Sequence, residues 1–145
     1  MKKKRDSIAI AEAIAETLDG SLPLIDVMDF RTGGYLPEAI LNYLALLGWR
    51  AREEGDGEGD REFFTLDELV EQFELTRIKK TAAKFDPTKL AWMNGEYIKS
   101  LPMERLLVCL DSWLEVADSP LASLSSEGRE AVLNLYRSRV HTFRD

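Results

Sequence analysis

The chain has 145 residues, of which 45% are hydrophobic and 31% charged, and its net charge is -7. This composition is typical of soluble folded proteins and excludes disordered, fibrous and broadly cationic classes. A single cysteine, Cys109, excludes an internal disulfide, and a single histidine, His141, argues against His-rich zinc sites and Ser/His/Asp hydrolase sites. Cys109 falls in an apolar helical pattern, which favours a packing role over a reactive thiol.

The N-terminal part of the chain predicts a helix, an extended segment and a turn. The helix runs from about Ile8 to Leu18, where Glu12 and Glu16 lie inside the apolar run and exclude a signal peptide. The stretch from Leu22 to Phe30 is short, partly alternating and rich in branched side chains, so we expect a strand or extended segment. Gly33-Gly34 then predicts a turn.

The next helix has almost no polar face. Pro37 suits its first position and Gly48 its end, and its apolar core from Ala39 to Trp49 is interrupted by Asn42. That core is far shorter than the ~20 residues that a bilayer requires, so a membrane span is excluded. We therefore expect a helix that packs on most of its surface, as the core of its domain.

Residues 50–74 are strongly acidic, with a local net charge of -7. The stretch EEGDGEGDRE predicts a mobile, solvated loop over 51–62. A calcium loop is the alternative, because Asp56, Glu58 and Asp60 have suitable spacing, but Arg61 replaces the required glycine and Asp67 the bidentate glutamate. The carboxylates of this glycine-rich stretch would also repel a phosphate group, which excludes a phosphate-binding loop.

A helix start follows the acidic loop. Thr65 and Glu68 have the spacing of a capping box, and Phe64 and Leu69 have the spacing of a hydrophobic staple. Both patterns predict a helix that begins directly after Thr65.

The charge changes sign after this helix, to +4 over residues 76–99. Asp86-Pro87 predicts a short helix through Met93, and Asn94-Gly95 predicts its stop. Trp92 and Tyr97 are interleaved with the lysines, which would suit an RNA backbone with an occasional base to stack on. The alternative is that Trp92 belongs to the core and the lysines form a solvent-exposed surface with no binding role.

The C-terminal part predicts two amphipathic helices. The first begins after Leu101-Pro102 and runs to about Ala117, with apolar residues at spacings of three and four. A serine-rich connection leads to the second, over residues 129–145, which carries several arginines on its other sides. Two such helices need a third element to close their core.

The segments DFRTGGYLPEAILNYLALLGW and EFFTLDELVEQFELTRIKKTAAKFDPTKLAWMNGEYI resemble, in the same order, the segments that follow the active-site signature loop in bacterial glutamyl-tRNA synthetases. The resemblance covers Asp29 to Ile98. It implies a mainly α-helical fold, in which a helical stem-contact domain with at most short strands precedes a bundle-type anticodon-binding segment. The implied boundaries are 7–100 for the stem-contact domain and 101–145 for the start of the anticodon-binding region.

Residues 1–6 are similar to the end of the family's ATP signature loop. Lys4 and Arg5 match it, whereas Lys3 stands where serine is usual and Met1 where the first lysine is expected. The resemblance therefore implies that Lys4 and Arg5 are at most remnants of an ATP-contacting element. It also implies that the catalytic nucleotide-binding domain would precede residue 1, so that we expect no catalysis by this chain alone. The resemblance gives no role to residues 7–27.

The parent enzyme implied by the resemblance is a cytoplasmic glutamate-tRNA ligase of protein biosynthesis, which uses ATP and Mg²⁺. For this chain we expect no cofactor, metal or membrane, and its expected partners are glutamate tRNA and the catalytic domain of the same synthetase. Clustered lysines and arginines attract phosphate, whereas the acidic segment repels it. The residues expected to contact tRNA are therefore those of the basic block and the last helix: Lys79, Lys80, Lys84, Lys89, Arg137, Arg139 and Arg144.

Two other functional classes are the alternatives to tRNA binding. A protein-interaction module could keep the synthetase fold without RNA binding, and the apolar stripes of the last two helices would suit a partner protein. An independent small enzyme lacks any defensible nucleophile, acid/base pair or metal set.

Overall fold

The computed structural model describes residues 26–49, 61–78 and 84–145. These ranges contain six α-helices and two short 3-10 helices, and they contain no strand. The α-helices are α1 (Val27–Thr32), α2 (Pro37–Leu46), α3 (Leu66–Gln72), α4 (Pro87–Ser100), α5 (Met103–Leu114) and α6 (Ser126–Tyr136). The 3-10 helices are Leu75–Arg77 and Pro120–Ser123. The predicted mainly α-helical class is confirmed, and an antiparallel bridge pairs Trp49 with Ile78.

The chain divides into two compact units, residues 1–30 and residues 31–145. Of the first unit the structure describes only residues 26–30, so the predicted helix from Ile8 to Leu18 lies outside the described residues, as do Lys4, Arg5 and most of the acidic loop. No helix in the described ranges is long and apolar enough to cross a membrane.

The prediction of an extended segment up to Phe30 is wrong over its last residues, which belong to α1. Asp26 caps this helix, because the backbone N–H of Met28 donates to Asp26 Oδ1 at 3.0 Å. Asp29 Oδ2 in turn accepts from the Asp26 backbone N–H at 2.8 Å. This reciprocal local hydrogen bonding outweighs the β preference of the branched side chains.

Helix α2 begins at Pro37 as predicted, and one stripe of its surface is exposed. Ala39, Asn42 and Tyr43 are buried, whereas Leu41 and Leu44 are about half exposed, at 47% and 53%. The remaining positions after Pro37 are buried or half-buried, so the prediction that this helix packs on most of its surface is confirmed except along the stripe of Leu41 and Leu44. Its buried side packs on α3 and α4.

Helix α3 begins as the sequence predicts. The Thr65 hydroxyl accepts from the Glu68 backbone N–H at 3.2 Å, and Glu68 Oε2 accepts from the Thr65 backbone N–H at 2.7 Å. Phe64 and Leu69, the predicted staple, are both buried in one core cluster with Trp49. The predicted capping box and staple are confirmed.

Helix α4 is longer than predicted. It begins at Pro87 after Asp86, whose carboxylate accepts from the backbone N–H groups of Thr88 and Lys89. It continues through Asn94-Gly95 to Ser100, so the predicted stop at Asn94-Gly95 is wrong. Asn94 and Gly95 are buried in the middle of the helix, where both contact residues that are distant in the chain.

The C-terminal helices α5 and α6 pack against each other. Helix α5 ends at Leu114, close to the predicted end, and buries Leu106, Cys109, Leu110 and Trp113. Helix α6 begins at Ser126 and ends at Tyr136, so the prediction of a helix through to residue 145 is wrong. Residues 137–145, named here the C-terminal segment, are irregular and fold back on the rest of the unit.

Candidate nucleic-acid interface

Most of the described lysines and arginines are neutralised by acids. Seven ion pairs occur in the described ranges: Arg31–Glu115, Arg61–Glu68, Arg77–Glu74, Lys89–Glu62, Lys99–Glu96, Arg105–Glu38 and Arg129–Asp111. A cation that already has a carboxylate partner contributes less attraction to a phosphate than an unpaired cation. The cations without a described acidic partner are therefore the better candidates for RNA contact.

Four described cations have no ion pair with a described acid: Lys84, Arg137, Arg139 and Arg144. All four belong to the set predicted from sequence. Lys84 is exposed just before α4, and Arg139 and Arg144 are exposed on the C-terminal segment. Lys79 and Lys80 lie outside the described residues.

Lys89 is placed differently from the other predicted residues. It is partly buried on the first turn of α4, and its ammonium group contacts the Glu62 carboxylate. This pair joins α4 to the segment before α3. Binding of a phosphate by Lys89 would compete with that contact.

Arg137 is only half exposed, and its guanidinium group binds backbone. It donates to the carbonyl of Lys99 and, at 2.8 Å, to the carbonyl of Leu101. These carbonyls lie at the C-terminal end of α4, where helical partners are missing and the dipole favours a cation. Arg137 therefore caps α4 from the beginning of the C-terminal segment.

Asn94 holds the middle of the C-terminal segment. Its amide Nδ2 donates to the His141 carbonyl at 2.5 Å, and its Oδ1 accepts from the Leu36 backbone N–H at 2.8 Å. The side chain is fully buried, so both hydrogen bonds are made away from water. Asn94 thus joins α4, the start of α2 and the C-terminal segment.

Two glycines, one in the turn before α2 and one on α4, allow the C-terminal segment to pack closely against them. Gly34 has φ +79°, and a Cβ there would lie 2.7 Å from the backbone N of Phe143. A Cβ on Gly95 would lie 2.7 Å from His141 Nδ1. The Phe143 N–H donates to the Gly34 carbonyl at 3.1 Å, so the segment is hydrogen bonded to the turn before α2.

The end of the segment is folded into a turn by Asp145. Its carboxylate accepts from the backbone N–H of His141 at 2.7 Å and from that of Thr142 at 3.1 Å. Burial acts to raise the pKa of the Asp145 carboxyl, but these hydrogen bonds outweigh it and lower the pKa below its usual value. The Arg144 N–H donates to the Thr142 hydroxyl at 3.2 Å, which fixes the backbone that carries Arg144.

Contacts cross the boundary predicted at residues 100 and 101. Trp113 Nε1 donates to the Thr32 carbonyl at 3.1 Å, and the Trp113 ring lies 5.9 Å from the Phe143 ring. Arg31 donates to the Ser112 carbonyl at 3.0 Å and pairs with Glu115. Residues on both sides of the predicted boundary therefore belong to one compact unit.

The aromatic residues of the basic block have different environments. Trp92 is 41% exposed and its ring lies 5.5 Å from that of Phe63. Tyr97 is buried, and its hydroxyl donates to the Phe64 carbonyl at 2.7 Å. Of these two rings, only that of Trp92 is accessible to a stacking base. Two carboxylates, those of Glu62 and Glu96, form ion pairs with lysines of the same helix, α4.

Cys109 packs in the core, as predicted. Burial, followed by the charge of Glu38, raises the pKa of its thiol to about 11. A thiol with that pKa is protonated near neutral pH and is a poor nucleophile. The described residues also contain no group of three or more His, Cys, Asp or Glu side chains that could hold a metal ion.

Sequence patterns do not reveal the hydrogen bonds of Asn94 and Arg137, which hold the C-terminal segment in place. An Asn-Gly pair near the expected end of a helix reads as a stop signal, and an arginine on a helix reads as a surface charge. A buried asparagine among apolar neighbours was the one available signal, because such a side chain must find hydrogen-bond partners. The sequence could not say which partners they are.

A family described as tRNA synthetases class I (E and Q), catalytic domain, matches residues 21–92. The glutamate-tRNA ligase of Nitrosospira multiformis is 38% identical over 133 residues, which cover 92% of this chain and 27% of that protein. The glutamate-tRNA ligase of Halalkalibacterium halodurans is 42% identical over 118 residues, which cover 79% of this chain and 23% of that protein. The chain thus spans about a quarter of the length of these curated relatives.

Two solved structures are also similar. A glutamate tRNA ligase from Elizabethkingia meningosepticum, in complex with its amino acid, has a TM-score of 0.56 and 26% identity. The glutamate-tRNA synthetase from Elizabethkingia anophelis has a TM-score of 0.57 and 28% identity. Each match covers 78% of this chain and 21% of the other chain. By sequence over most of its length and by fold, the chain belongs to the glutamyl-tRNA synthetase family.

Proposed function

We propose that this chain is the tRNA-binding part of a glutamyl-tRNA synthetase, contacting the stem and the anticodon side of glutamate tRNA. In that role it supports the ATP-dependent attachment of glutamate to tRNA during protein synthesis in the cytoplasm. The observation that carries the proposal is its similarity, over 79–94% of its length, to proteins named glutamate-tRNA ligase. The matching family is described as a catalytic domain, whereas we assign residues 7–100 to stem contact and residues 101–145 to the anticodon side.

The distribution of charge supports contact through selected cations. The net charge of -7 disfavours a general attraction to RNA, and the seven ion pairs leave few described cations unpaired. We therefore assign phosphate contact first to Lys84, Arg139 and Arg144, which are exposed and have no described acidic partner. Lys79 and Lys80 continue the same basic block along the sequence and belong to the proposal.

ATP and Mg²⁺ belong, in this proposal, to the activation of glutamate by the complete ligase. Lys4 and Arg5 are the residues of this chain that we assign to the edge of the ATP-contacting loop. The proposed contribution of the described residues is to bind and orient tRNA, since positioning reactants is a large part of such catalysis.

A salt titration with two RNAs tests the proposal. The chain is titrated with glutamate tRNA and with an unrelated tRNA at several salt concentrations, and the logarithm of the affinity is plotted against the logarithm of salt concentration. We expect salt-sensitive binding that prefers glutamate tRNA, because each phosphate contact releases condensed counterions. Absence of binding to either RNA at low salt, from a folded sample, would contradict the proposal and favour a protein-interaction module.

A pair of variants tests the residues. Replacing Lys80 and Lys84 together by alanine should weaken binding similarly for both RNAs and reduce the salt slope by about one for each lost phosphate contact. The matched control is Lys99→Ala, which removes an exposed lysine that is paired with Glu96 at 2.6 Å. Equal salt slopes for the double variant and the unchanged chain would refute the assignment of Lys80 and Lys84.

A further inference from the structure

The C-terminal segment carries two exposed arginines on a backbone that is held at several points. Arg137, at its beginning, binds the carbonyls of Lys99 and Leu101 at the end of α4. Near its other end, the Phe143 N–H binds the Gly34 carbonyl. Arg139 and Arg144 are therefore exposed side chains on an irregular but fixed segment.

The central attachment comes from a side chain that RNA cannot reach. Asn94 is 0% exposed, and its two hydrogen bonds go to Leu36 and His141. His141 lies between Arg139 and Arg144 in the chain, so its carbonyl fixes the backbone between them. Asn94 is uncharged and buried, and any influence it has on RNA affinity must therefore act through the segment.

Close packing against α4 leaves the segment little freedom. A Cβ at position 95 would lie 3.3 Å from the Val140 carbonyl oxygen and 3.4 Å from His141 Cα, besides the closer ring nitrogen. The Asp145 turn holds the remaining end through three hydrogen bonds from His141 and Thr142. Fixing a binding group in its bound position reduces the entropy lost on association.

We propose that Asn94 and Arg137 are positioning residues for RNA, which hold the C-terminal segment so that Arg139 and Arg144 meet phosphates from a fixed backbone. This assignment rests on the proposed function. It separates the three arginines predicted from sequence into one that caps α4 and two that contact the ligand. The reason is geometric, because the Arg137 guanidinium group is already directed at two carbonyls.

The first arm of the test uses the 145-residue chain without RNA. In Asn94→Ala, tryptic cleavage after Arg139 should accelerate, on the order of fivefold, because the segment loses a buried hydrogen bond and opens more often. Cleavage after Arg129, which is paired with Asp111, serves as the internal reference for global unfolding. The matched control is Asn134→Ala, since Asn134 is exposed on α6. Unchanged cleavage after Arg139 would overturn the holding role.

The second arm is a double-mutant cycle with glutamate tRNA. Arg139→Ala with Arg144→Ala should reduce the salt slope by about two, and Asn94→Ala should reduce it by up to the same amount without removing a charge. When Asn94→Ala is added to the variant that lacks both arginines, it should cause no further reduction of the salt slope. An undiminished effect of Asn94→Ala in the background without both arginines would overturn the proposal, because Asn94 would then act elsewhere.

Arg137→Lys separates capping from phosphate contact. Lysine retains the positive charge but lacks the planar fork that reaches two carbonyls. We expect this variant to behave like Asn94→Ala, with faster cleavage after Arg139 and a reduced salt slope. A slope and a cleavage rate equal to those of the unchanged chain would assign Arg137 to phosphate contact and overturn its positioning role.

Phe143→Ala is the second variant if Asn94→Ala does not fold. It removes the ring that packs near Trp113 and leaves every charge and the backbone hydrogen bond to Gly34 available. The same faster cleavage and reduced slope are expected. If the unchanged chain binds no RNA, the proposed function fails, and the cleavage experiment still decides whether Asn94 holds the segment. If the chain binds RNA and the effects of Asn94→Ala and of the two arginine substitutions are additive, only the positioning proposal fails.

Discussion

Two buried asparagines organise two different regions of this protein. Asn42 lies on α2, donates to the Glu62 carbonyl at 2.6 Å and accepts from the Phe64 N–H at 3.0 Å, so it fixes the chain that leads into α3. Asn94 lies on α4 and fixes the C-terminal segment. Both side chains are 0% exposed and both satisfy two backbone groups. The chemistry is the same, but the consequences of breaking it differ.

The difference lies in what surrounds each junction. Phe64, which Asn42 holds, is buried with Trp49 and Leu69, and its carbonyl accepts from the Tyr97 hydroxyl. The segment that Asn94 holds is mostly exposed or half exposed, with Thr142 as its buried residue. The Asn42 junction therefore supports the core, whereas the Asn94 junction holds an exposed segment.

The largest effect is expected from Asn42→Ala. The buried Phe64 N–H and the half-buried Glu62 carbonyl would lose their partner. An unpaired group costs about 1–3 kcal/mol when it is buried. We expect the free energy of unfolding to fall by roughly 3 kcal/mol, measured by urea denaturation. The control is Asn134→Ala on α6, and a loss no larger than that of the control would show that the Asn42 junction is not part of the core.

A smaller effect on stability is expected from Asn94→Ala. The His141 carbonyl can reach water if the C-terminal segment opens, so part of the desolvation cost is avoided, and we expect a loss of about 2 kcal/mol. Amide hydrogen exchange should show lost protection at Phe143 and retained protection in the core of α2. Equal losses of protection in both regions would remove the distinction between the two junctions.

Gly34→Ala tests the segment from its other side. The left-handed conformation at φ +79° costs an alanine roughly 1–2 kcal/mol, and the new Cβ would approach backbone atoms of Phe143 and Arg144. We expect a loss of stability of that size, with hydrogen exchange enhanced in the segment. The control is Gly48→Ala, where the nearest atom is a methyl group of Ile78 at an ordinary 3.7 Å. If both variants were equally stable, the close approach at Gly34 would be refuted.

The smallest effect concerns pH and the helix that follows the Asn42 junction. A hydrogen bond from Arg61 and the capping bond from the Thr65 backbone lower the pKa of the Glu68 carboxyl from 4.5 to about 2. Because the folded pKa is depressed, this stabilisation is present above about 4.5 and is lost as the pH falls toward about 2. The difference in Tm between the unchanged chain and Glu68→Gln should shrink over that range.

Glu71→Gln is the matched control for this experiment, since Glu71 lies on the same helix beyond its first turn. It removes the same charge without removing the capping box. If the two variants had the same dependence of Tm on pH, the cap would not be the cause.

Local signals in the sequence predicted the helices well where local chemistry decides them. Thr65 and Glu68 form the predicted capping box, and Asp86-Pro87 begins α4, because a cap needs only residues within one turn. The predicted site residues Lys84, Arg139 and Arg144 are exposed, as candidates for ligand contact must be. The charge at such positions follows from the residue type itself, whereas Lys89 and Arg137 show that exposure does not, since both are half-buried.

Sequence reasoning failed where a distant segment supplies the partner. The pair Asn94-Gly95 predicts a helix stop from local signals alone, whereas in the fold the buried amide and the missing Cβ allow His141 to approach from 46 or 47 positions away in the chain. The apolar stripe predicts a last helix through to residue 145, whereas Arg137 caps α4 and Asp145 folds the end into a turn. An apolar stripe alone cannot show that such bonds will compete with helix formation.

The sequence by itself determined the helical class, the caps, the charge distribution and the resemblance to glutamyl-tRNA synthetases, because these depend on residue identity and short spacing. The tertiary structure alone decided which cations are neutralised, which side of α2 is buried and how the C-terminal segment is held. These properties depend on hydrogen bonds and ion pairs between residues far apart in the chain, such as Asn94 with His141 and Lys89 with Glu62. Their partners are fixed only when folding removes water from the groups that must pair.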